Sequence, residues 1–308
     1  MEIKDWATAN VNDLASVYNT QIAASTPHCF AVSPEVFAAG RCQKTRDDYV
    51  ATFCSERVIV GLQGGTVRGF AHARVGEIER QDRLLKGGFI HFLTYAVGYR
   101  EVGQAILTAC ERHFCETGVS TIWAFDGYFY RFHHLGFPQV SDRMGHLCGL
   151  FGMNDYRVVG EGEIFLECLY YPAVISVPPD PAVEIQVEAR EGRGDLPNIT
   201  VRAAREGMEI GSCIALSGAD FSRAQEAQDR IFVQGLGVID KEQGRGWGRY
   251  LLAQTLWEAR QLGYRHTVIS THRRNYRAQL FYTNFGYRVT DTVYGFTKEM
   301  GQPTRNVE

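Results

Sequence analysis

The sharpest pattern of apolar and polar positions lies in the last third of the chain. Ile231, Val233, Leu236 and Val238, with Phe232 and Ile239 between them, form an apolar, β-branched run whose length and bounding glycines predict a buried strand. Asp240, Lys241 and Glu242 end it. After Gln243-Gly244-Arg245-Gly246-Trp247-Gly248, the residues Leu251, Leu252, Leu256 and Ala259 recur at helical spacing. The order is strand, glycine loop, helix, with a further strand predicted over 267–271.

Earlier in the chain the periodicities are shorter. Glu2-Ile3-Lys4 predicts a strand, and Val11, Leu14, Val17 and Tyr18 fall on one face of a helix predicted over 11–22. Helices are also predicted over 34–39 and 47–53. Residues 57–61 and 67–73 form two strands about Gly64-Gly65, a hairpin signal. A strand over 88–97 and a helix over 103–117 follow. Beyond Pro178-Pro179-Asp180-Pro181, which has linker character, residues 183–189, 199–205 and 212–217 predict strands, with Glu206-Gly207 as a turn and no helical pair.

The glycine loop carries the first chemical signal. Glycines let the backbone approach a ligand closely, and the first-turn N–H groups of a helix are unpaired at the positive end of its dipole. Such a corner suits a phosphate or pyrophosphate. A phosphate loop of the NTPase type ends in Gly-Lys-Ser/Thr, but here Gly248 is followed by Arg249-Tyr250; a dinucleotide fingerprint would need glycine at 249. The pattern that fits is Gln243-x-x-Gly246-x-Gly248, which resembles the pyrophosphate loop of the GNAT superfamily of acyl-CoA-dependent N-acyltransferases. Leu236-x-Val238 stands where that family's fourth strand pairs with the pantetheine arm of CoA. Asn275-x-x-Ala278-x-x-Phe281-Tyr282-x-x-x-Gly286-Tyr287 resembles the family's second conserved segment.

The resemblance implies an α/β (α+β) fold, with a central mixed, mostly antiparallel sheet flanked by helices, and acetyl-CoA as cosubstrate. It implies that the backbone of Leu236, Gly237 and Val238 holds the pantetheine. Gln243, Gly244, Arg245, Gly246, Trp247, Gly248 and Arg249 would surround the pyrophosphate. Asn275 would hydrogen-bond the pantetheine or place the second helix, and Tyr282 would protonate the departing sulfur. The carboxylate base found in many members would stand at position 232, which is Phe232. That leaves His272, Asp229 or a water chain as the base. Arg273, Arg274 and Arg277 either serve the 3′-phosphate of CoA or form a solvated face.

An internal repeat extends the resemblance over nearly the whole chain. At an offset of 143, Phe232, Leu236, Gln243, Gly246 and Gly248 fall on Phe89, Leu93, Arg100, Gly103 and Ala105. Arg100-x-x-Gly103-x-Ala105 is an accepted form of the loop pattern and marks a candidate second cofactor site. The chain is therefore expected to hold two tandem GNAT-like domains, residues 1–172 and 183–308, joined by a linker over 173–182. The first copy has Phe132 where the second has Tyr282 relative to the following glycine, and Glu101 and Val102 in its loop, so it is expected to be degenerate. His133 and His134 are expected to be solvated or structural.

Composition narrows the partners. With 308 residues, 45% hydrophobic and 22% charged, the chain is long enough for two globular cores, and a net charge of −3 argues against general nucleic-acid binding. The eight cysteines form no Cys-x-x-Cys pair, which predicts small buried hydrophobes and no metal site. No apolar run is long enough for a membrane span, and the start is unlike a signal peptide. The expectation is a cytoplasmic monomer or homodimer, with no nucleic-acid or membrane partner. It would be an N-acetyltransferase that moves acetyl from acetyl-CoA to a primary amine of a small molecule or peptide by direct attack. The alternative is a non-catalytic CoA-binding regulatory module; retention of Tyr282 favours the enzyme.

Overall fold

The computed structural model describes residues 1–5, 10–41, 49–80, 83–125, 130, 132–136, 139–172, 174 and 176–301. The chain forms two compact units, one made of Met1–Gly162 with Thr292–Glu308 and the other of Glu163–Asp291. Each is built on an open mixed sheet flanked by helices.

The first unit contains β1 (Glu2–Asp5), α1 (Val11–Tyr18), α2 (Pro34–Gly40), β2 (Tyr49–Gln63), β3 (Thr66–Arg80), β4 (Arg83–Tyr95), α3 (Arg100–Glu116), β5 (Thr121–Ala124), β6 (Val140–Ser141), α4 (Gly145–Met153) and β7 (Arg157–Val158). Gly64 and Gly65 have φ of 60° and 75°, the left-handed pair that a two-residue hairpin needs, and they close β2 onto β3 as the sequence predicts. Helix α2 starts as its sequence dictates: Pro34 takes the first turn and Ser33 Oγ accepts from Val36 N–H at 3.3 Å. Helix α3 packs on one sheet face, where Val102 and Ile106 fill the space beside Gly61. On the other face Phe70 meets Phe37 of α2 at 5.6 Å between ring centroids.

One predicted helix is a strand. Of residues 47–53, the first two lie outside the described residues and the rest begin β2, where Val50 and Thr52 are exposed while Ala51 and Phe53 turn inward. That period of two, paired with β3 from Tyr49↔Arg80 to Phe53↔Gly76, prevails over the short helical spacing.

The second unit contains β8 (Glu163–Leu169), β9 (Glu184–Arg190), β10 (Asn198–Arg205), β11 (Met208–Ser217), α5 (Gln225–Gln228), β12 (Arg230–Val238), α6 (Trp247–Leu262), β13 (His266–His272), α7 (Tyr276–Asn284) and most of β14 (Arg288–Tyr294). Its strand order is β14-β8-β13-β12-β11-β10-β9, antiparallel at each register resolved except the parallel pair β12–β13. Leu251, Leu252, Leu256 and Ala259 of α6 are buried in one core with Ile231, Val233, Ile269 and Tyr282.

The first compact unit is discontinuous in sequence, Met1–Gly162 with Thr292–Glu308, and the second is the continuous stretch Glu163–Asp291, where 1–172 and 183–308 were expected. Strand β8, ahead of the expected linker, pairs with β13 from His266↔Leu169 to His272↔Glu163. Strand β15 (Phe296–Glu299), at the other end of the chain, completes the first sheet by pairing with β5. Strands of this kind carry no local mark of which sheet they join; the partner with an open edge decides.

The cysteines differ from expectation as well. Among the described residues they are free, but only Cys29, Cys110 and Cys213 are buried, while Cys54 and Cys115 are exposed. Among the described residues no helix is long and apolar enough to cross a membrane, and no group of side chains could hold a metal ion.

Candidate active site

The second unit opens a groove where two parallel strands part. β12 and β13 keep register from Arg230↔His266 to Val233↔Ile269 and no further. At that point β12 carries a bulge: Ala215 of β11 pairs with Val233 and Ile214 with Gly235, so Gln234 has no opposite residue. A bulge bends its strand and sharpens the local twist. Leu236, Gly237 and Val238 then stay bonded to β11 while their other edge is released by β13. The groove has a volume of about 460 Å³, with Leu236 and Val238 along one wall and Ala278, Phe281 and Tyr282 along the other.

The glycine loop closes one end. Gly244 and Gly246 have φ of 78° and 92°, which side-chain-bearing residues rarely adopt, and Gly246 is the residue that caps α6. A Cβ at Gly244 or Gly248 would meet nothing within 4 Å, and at Gly246 only Pro179 at 3.5 Å. The first-turn amides of α6 therefore lie at an open surface, at the positive end of a sixteen-residue helix. Gln243 works inside the loop: Nε2 donates to Val238 O at 3.1 Å and Asp240 Oδ1 at 2.8 Å, and Oε1 accepts from Arg277 Nη1 at 2.7 Å. Trp247 is 1% exposed, is part of the core and also lines the groove. Arg249 lines the groove with its guanidinium 6.0 Å from the Phe285 ring, whereas Arg245 lies 3.6 Å from the buried Glu242 carboxylate and off the groove lining.

Helix α7 supplies the remaining groups. Asn275 is its cap: Oδ1 accepts from Ala278 N–H at 3.2 Å and Nδ2 donates to Thr271 Oγ1 at 3.1 Å. Its side chain thus places the helix, one of the two roles expected of it. Tyr282 is 7% exposed and lines the groove, and its hydroxyl has no hydrogen-bond partner among the described residues. Burial raises its pKa well above the ordinary phenol value, with Cys213 adding to the effect, so it holds its proton at neutral pH.

The base is less well placed. His272 is exposed at the end of β13, accepts from Arg274 N–H through Nδ1 at 3.2 Å, and is off the groove lining, as is Gly237. Asp229 stands at the opposite end of β12, 3.7 Å from His266 Nε2. A further buried carboxyl belongs to Glu163, the first residue of β8. Its Oε2 is buried with no hydrogen-bond partner, and burial pushes its carboxyl up to about 7. It pairs with His272 of β13 and, like His272, is off the groove lining.

The matching corner of the first unit has a different form. Arg100, Gly103 and Ala105 do not make a loop, because α3 already begins at Arg100 and Gly103 lies a turn inside it. A Cβ on Gly103 would meet the Tyr95 ring at 2.5 Å, and Tyr95 Oη donates to His146 O at 2.8 Å, so Tyr95 and α4 narrow the corner to a cavity of about 270 Å³ lined by Arg100 and Gln104. Gln104 and Asn154 add two reciprocal amide bonds of 2.8 and 3.0 Å. Phe132 is buried against Tyr18, with centroids 5.1 Å apart. His133 and His134 are 1% and 2% exposed, which settles them as interior rather than solvated.

Residues 197–289 match the family model described as acetyltransferase (GNAT) domain. Solved structures of similar fold run the length of the chain. A tandem GNAT protein from the clavulanic acid biosynthesis pathway superposes with a TM-score of 0.66 at 12% identity, covering 98% of this chain and 99% of that one. This chain is a tandem GNAT-fold protein. The GCN5-related N-acetyltransferase of Sphaerobacter thermophilus gives 0.58 at 13% identity, over 96% of this chain and 95% of its own. A GCN5-related glucosamine N-acetyltransferase region in a fungal multi-domain GH3 β-N-acetylglucosaminidase gives 0.67 at 15% identity, over 96% of this chain and 38% of the fungal one. A comparison with curated proteins finds no match to the sequence.

Proposed function

We propose that the second unit is an acetyl-CoA-dependent N-acetyltransferase acting on a primary amine of a small molecule or peptide. The observation that carries this is the coincidence, in one groove, of an open left-handed glycine corner at a helix start and a largely buried tyrosine that lines the opposite wall. The residues fit the cosubstrate. The amides of residues 244–249, with Arg249, would hold the pyrophosphate, and the released edge of Leu236–Val238 would hold the pantetheine amides. Acetyl-CoA, when bound, supplies an activated acyl carbon and a thiolate leaving group. Tyr282, protonated and at the sheet end of the groove, gives its proton to the sulfur as the carbon–sulfur bond breaks. Gln243 and Asn275 act one step back, fixing the loop and the start of α7.

Calorimetric titration of acetyl-CoA into the wild-type protein and into Gly246→Glu tests the reading. The substitution places a carboxylate at the pyrophosphate position on a backbone with φ of 92°. Saturable one-site binding to the wild type and none to the variant is the expected result. Equal binding to both would mean that acetyl-CoA sits elsewhere, and absence of binding to the wild type would end the proposal.

A further inference from the structure

One residue lining the cofactor groove carries the wrong charge for a diphosphate. In the turn between β12 and α6, Asp240 and Lys241 are exposed, but Glu242 is 4% exposed and lines the groove with Gly244 and Gly246. Glu242 N–H bonds to Ile239 O at 2.9 Å and Gln243 N–H to Asp240 O at 3.2 Å, so a closed turn of backbone holds this residue directly ahead of the loop. Like charges repel more strongly across a low-dielectric interior than across water. A bare carboxylate here would oppose the phosphates that the corner is read to hold.

The two carboxylate oxygens are served unequally. Oε1 accepts from Arg205 Nη1 at 2.5 Å, and Arg205, the last residue of β10, gives its Nη2 to Asp180 Oδ2 at 2.9 Å. Oε2 is buried with no hydrogen-bond partner among the described residues, and Arg245 Nη1 stands 3.6 Å from it on a side chain 63% exposed. A solvated charge at that distance counts for little beside a partly buried guanidinium in direct contact. We propose that Arg205 is a positioning residue for the cosubstrate's diphosphate: acting through Glu242, it cancels the one negative charge on the groove lining. The inference rests on the cosubstrate reading just given. It adds a residue of β10 that lies off the groove and 37 positions from its partner in sequence.

The same contacts would also serve a simple anchor. Arg205 ties the turn to Asp180, and the neighbouring Pro179 comes within 3.5 Å of a Cβ placed on Gly246. An anchor and a charge shield demand opposite signs from one substitution. Glu242→Gln keeps the shape and an oxygen for Arg205 while removing the charge. A shield then has a cation to spare and acetyl-CoA binds more tightly; an anchor loses its ion pair and acetyl-CoA binds more weakly.

Calorimetric titration of acetyl-CoA into four variants tests the proposal. R205M should raise the Kd at least about tenfold and R205K less than about threefold, while E242Q should lower it about threefold. The double variant R205M/E242Q should return to within about threefold of wild type, since the charge that needed cancelling is gone. Phosphorus-31 NMR titration of inorganic pyrophosphate, with Gly246→Glu as the control for the corner, should rank the variants in the same order. If R205M does not fold, the sign of the change in E242Q decides alone. An unchanged Kd in R205M, or weaker binding in E242Q, would overturn the shield and leave the acetyltransferase reading intact. Wild type that ignores acetyl-CoA but holds pyrophosphate in the expected order of variants would sink the acetyltransferase reading and keep the shield. Binding of neither ligand would end both.

Discussion

Two helices start at equivalent corners of two sheets, and the cavities beside them differ in size, about 460 Å³ at α6 and about 270 Å³ at α3. In the second unit, Val238 ends β12 and Gly246 caps α6 with a left-handed backbone. In the first, the residue at the same offset of 143 is Tyr95, and its ring fills the space above Gly103. Both sheets keep the strand bulge at the matching place, Gln234 in β12 and His91 in β4, and both part their parallel strands just beyond it. The scaffold that makes a groove thus persists in both units. What differs is whether a side chain of the protein already occupies it. A tyrosine ring and a helix beside it narrow a corner that two glycines and a valine leave wider.

The largest test of that contrast is to build it backwards. Val238→Tyr should weaken acetyl-CoA binding by at least about 100-fold by calorimetry, because the ring would fill the groove as Tyr95 fills its own. Tyr95→Val should leave the acetyl-CoA Kd unchanged and lower the Tm, since it removes packing and the bond to His146 O. An unchanged affinity in Val238→Tyr would show that the valine wall is not part of the site.

Next in size is the tyrosine pair. Tyr282→Phe should cut kcat by about 100-fold with little change in the acetyl-CoA Kd. Phe132→Tyr should add no activity, because that position is packed against Tyr18 rather than facing a groove. Loss of acetyl-CoA binding in Tyr282→Phe with kcat retained would make the hydroxyl a binding group instead.

The smallest expected effect separates the units by pH. Burial holds His133 at about 3 and His134 at about 4, below the unfolded value near 6.5. As the pH falls below 6.5 the unfolded chain takes up protons that the folded one refuses, so stability is lost, on the order of 2 kcal/mol per histidine by pH 5. Glu163, held at about 7, acts in the opposite sense in the second unit: between pH 7 and 4.5 its folded form binds the extra proton, so acid favours folding there. Hydrogen exchange followed by mass spectrometry at pH 7.5 and 5, corrected for intrinsic rates, should show peptides of the first unit opening first in acid. The reverse order would break the comparison.

The sequence by itself determined the second unit's corner and the elements around it. Strand, glycine loop, helix and the second strand and helix are written in local periodicity, turn chemistry and spacing, and these act over a few residues. The Gly64-Gly65 hairpin was legible for the same reason. The start of β2 was not, because its partner β3 decides between two weak local periods. Only the tertiary structure decided that β8 and β15 join sheets distant in sequence, that Tyr95 blocks Gly103, and that His133 and His134 lie inside. The same holds for Glu163, whose Oε2 is buried without a partner. The physical reason is range. Helix and turn propensities are properties of neighbouring residues, whereas strand partners, buried charges and filled corners depend on groups that meet only after the chain has folded.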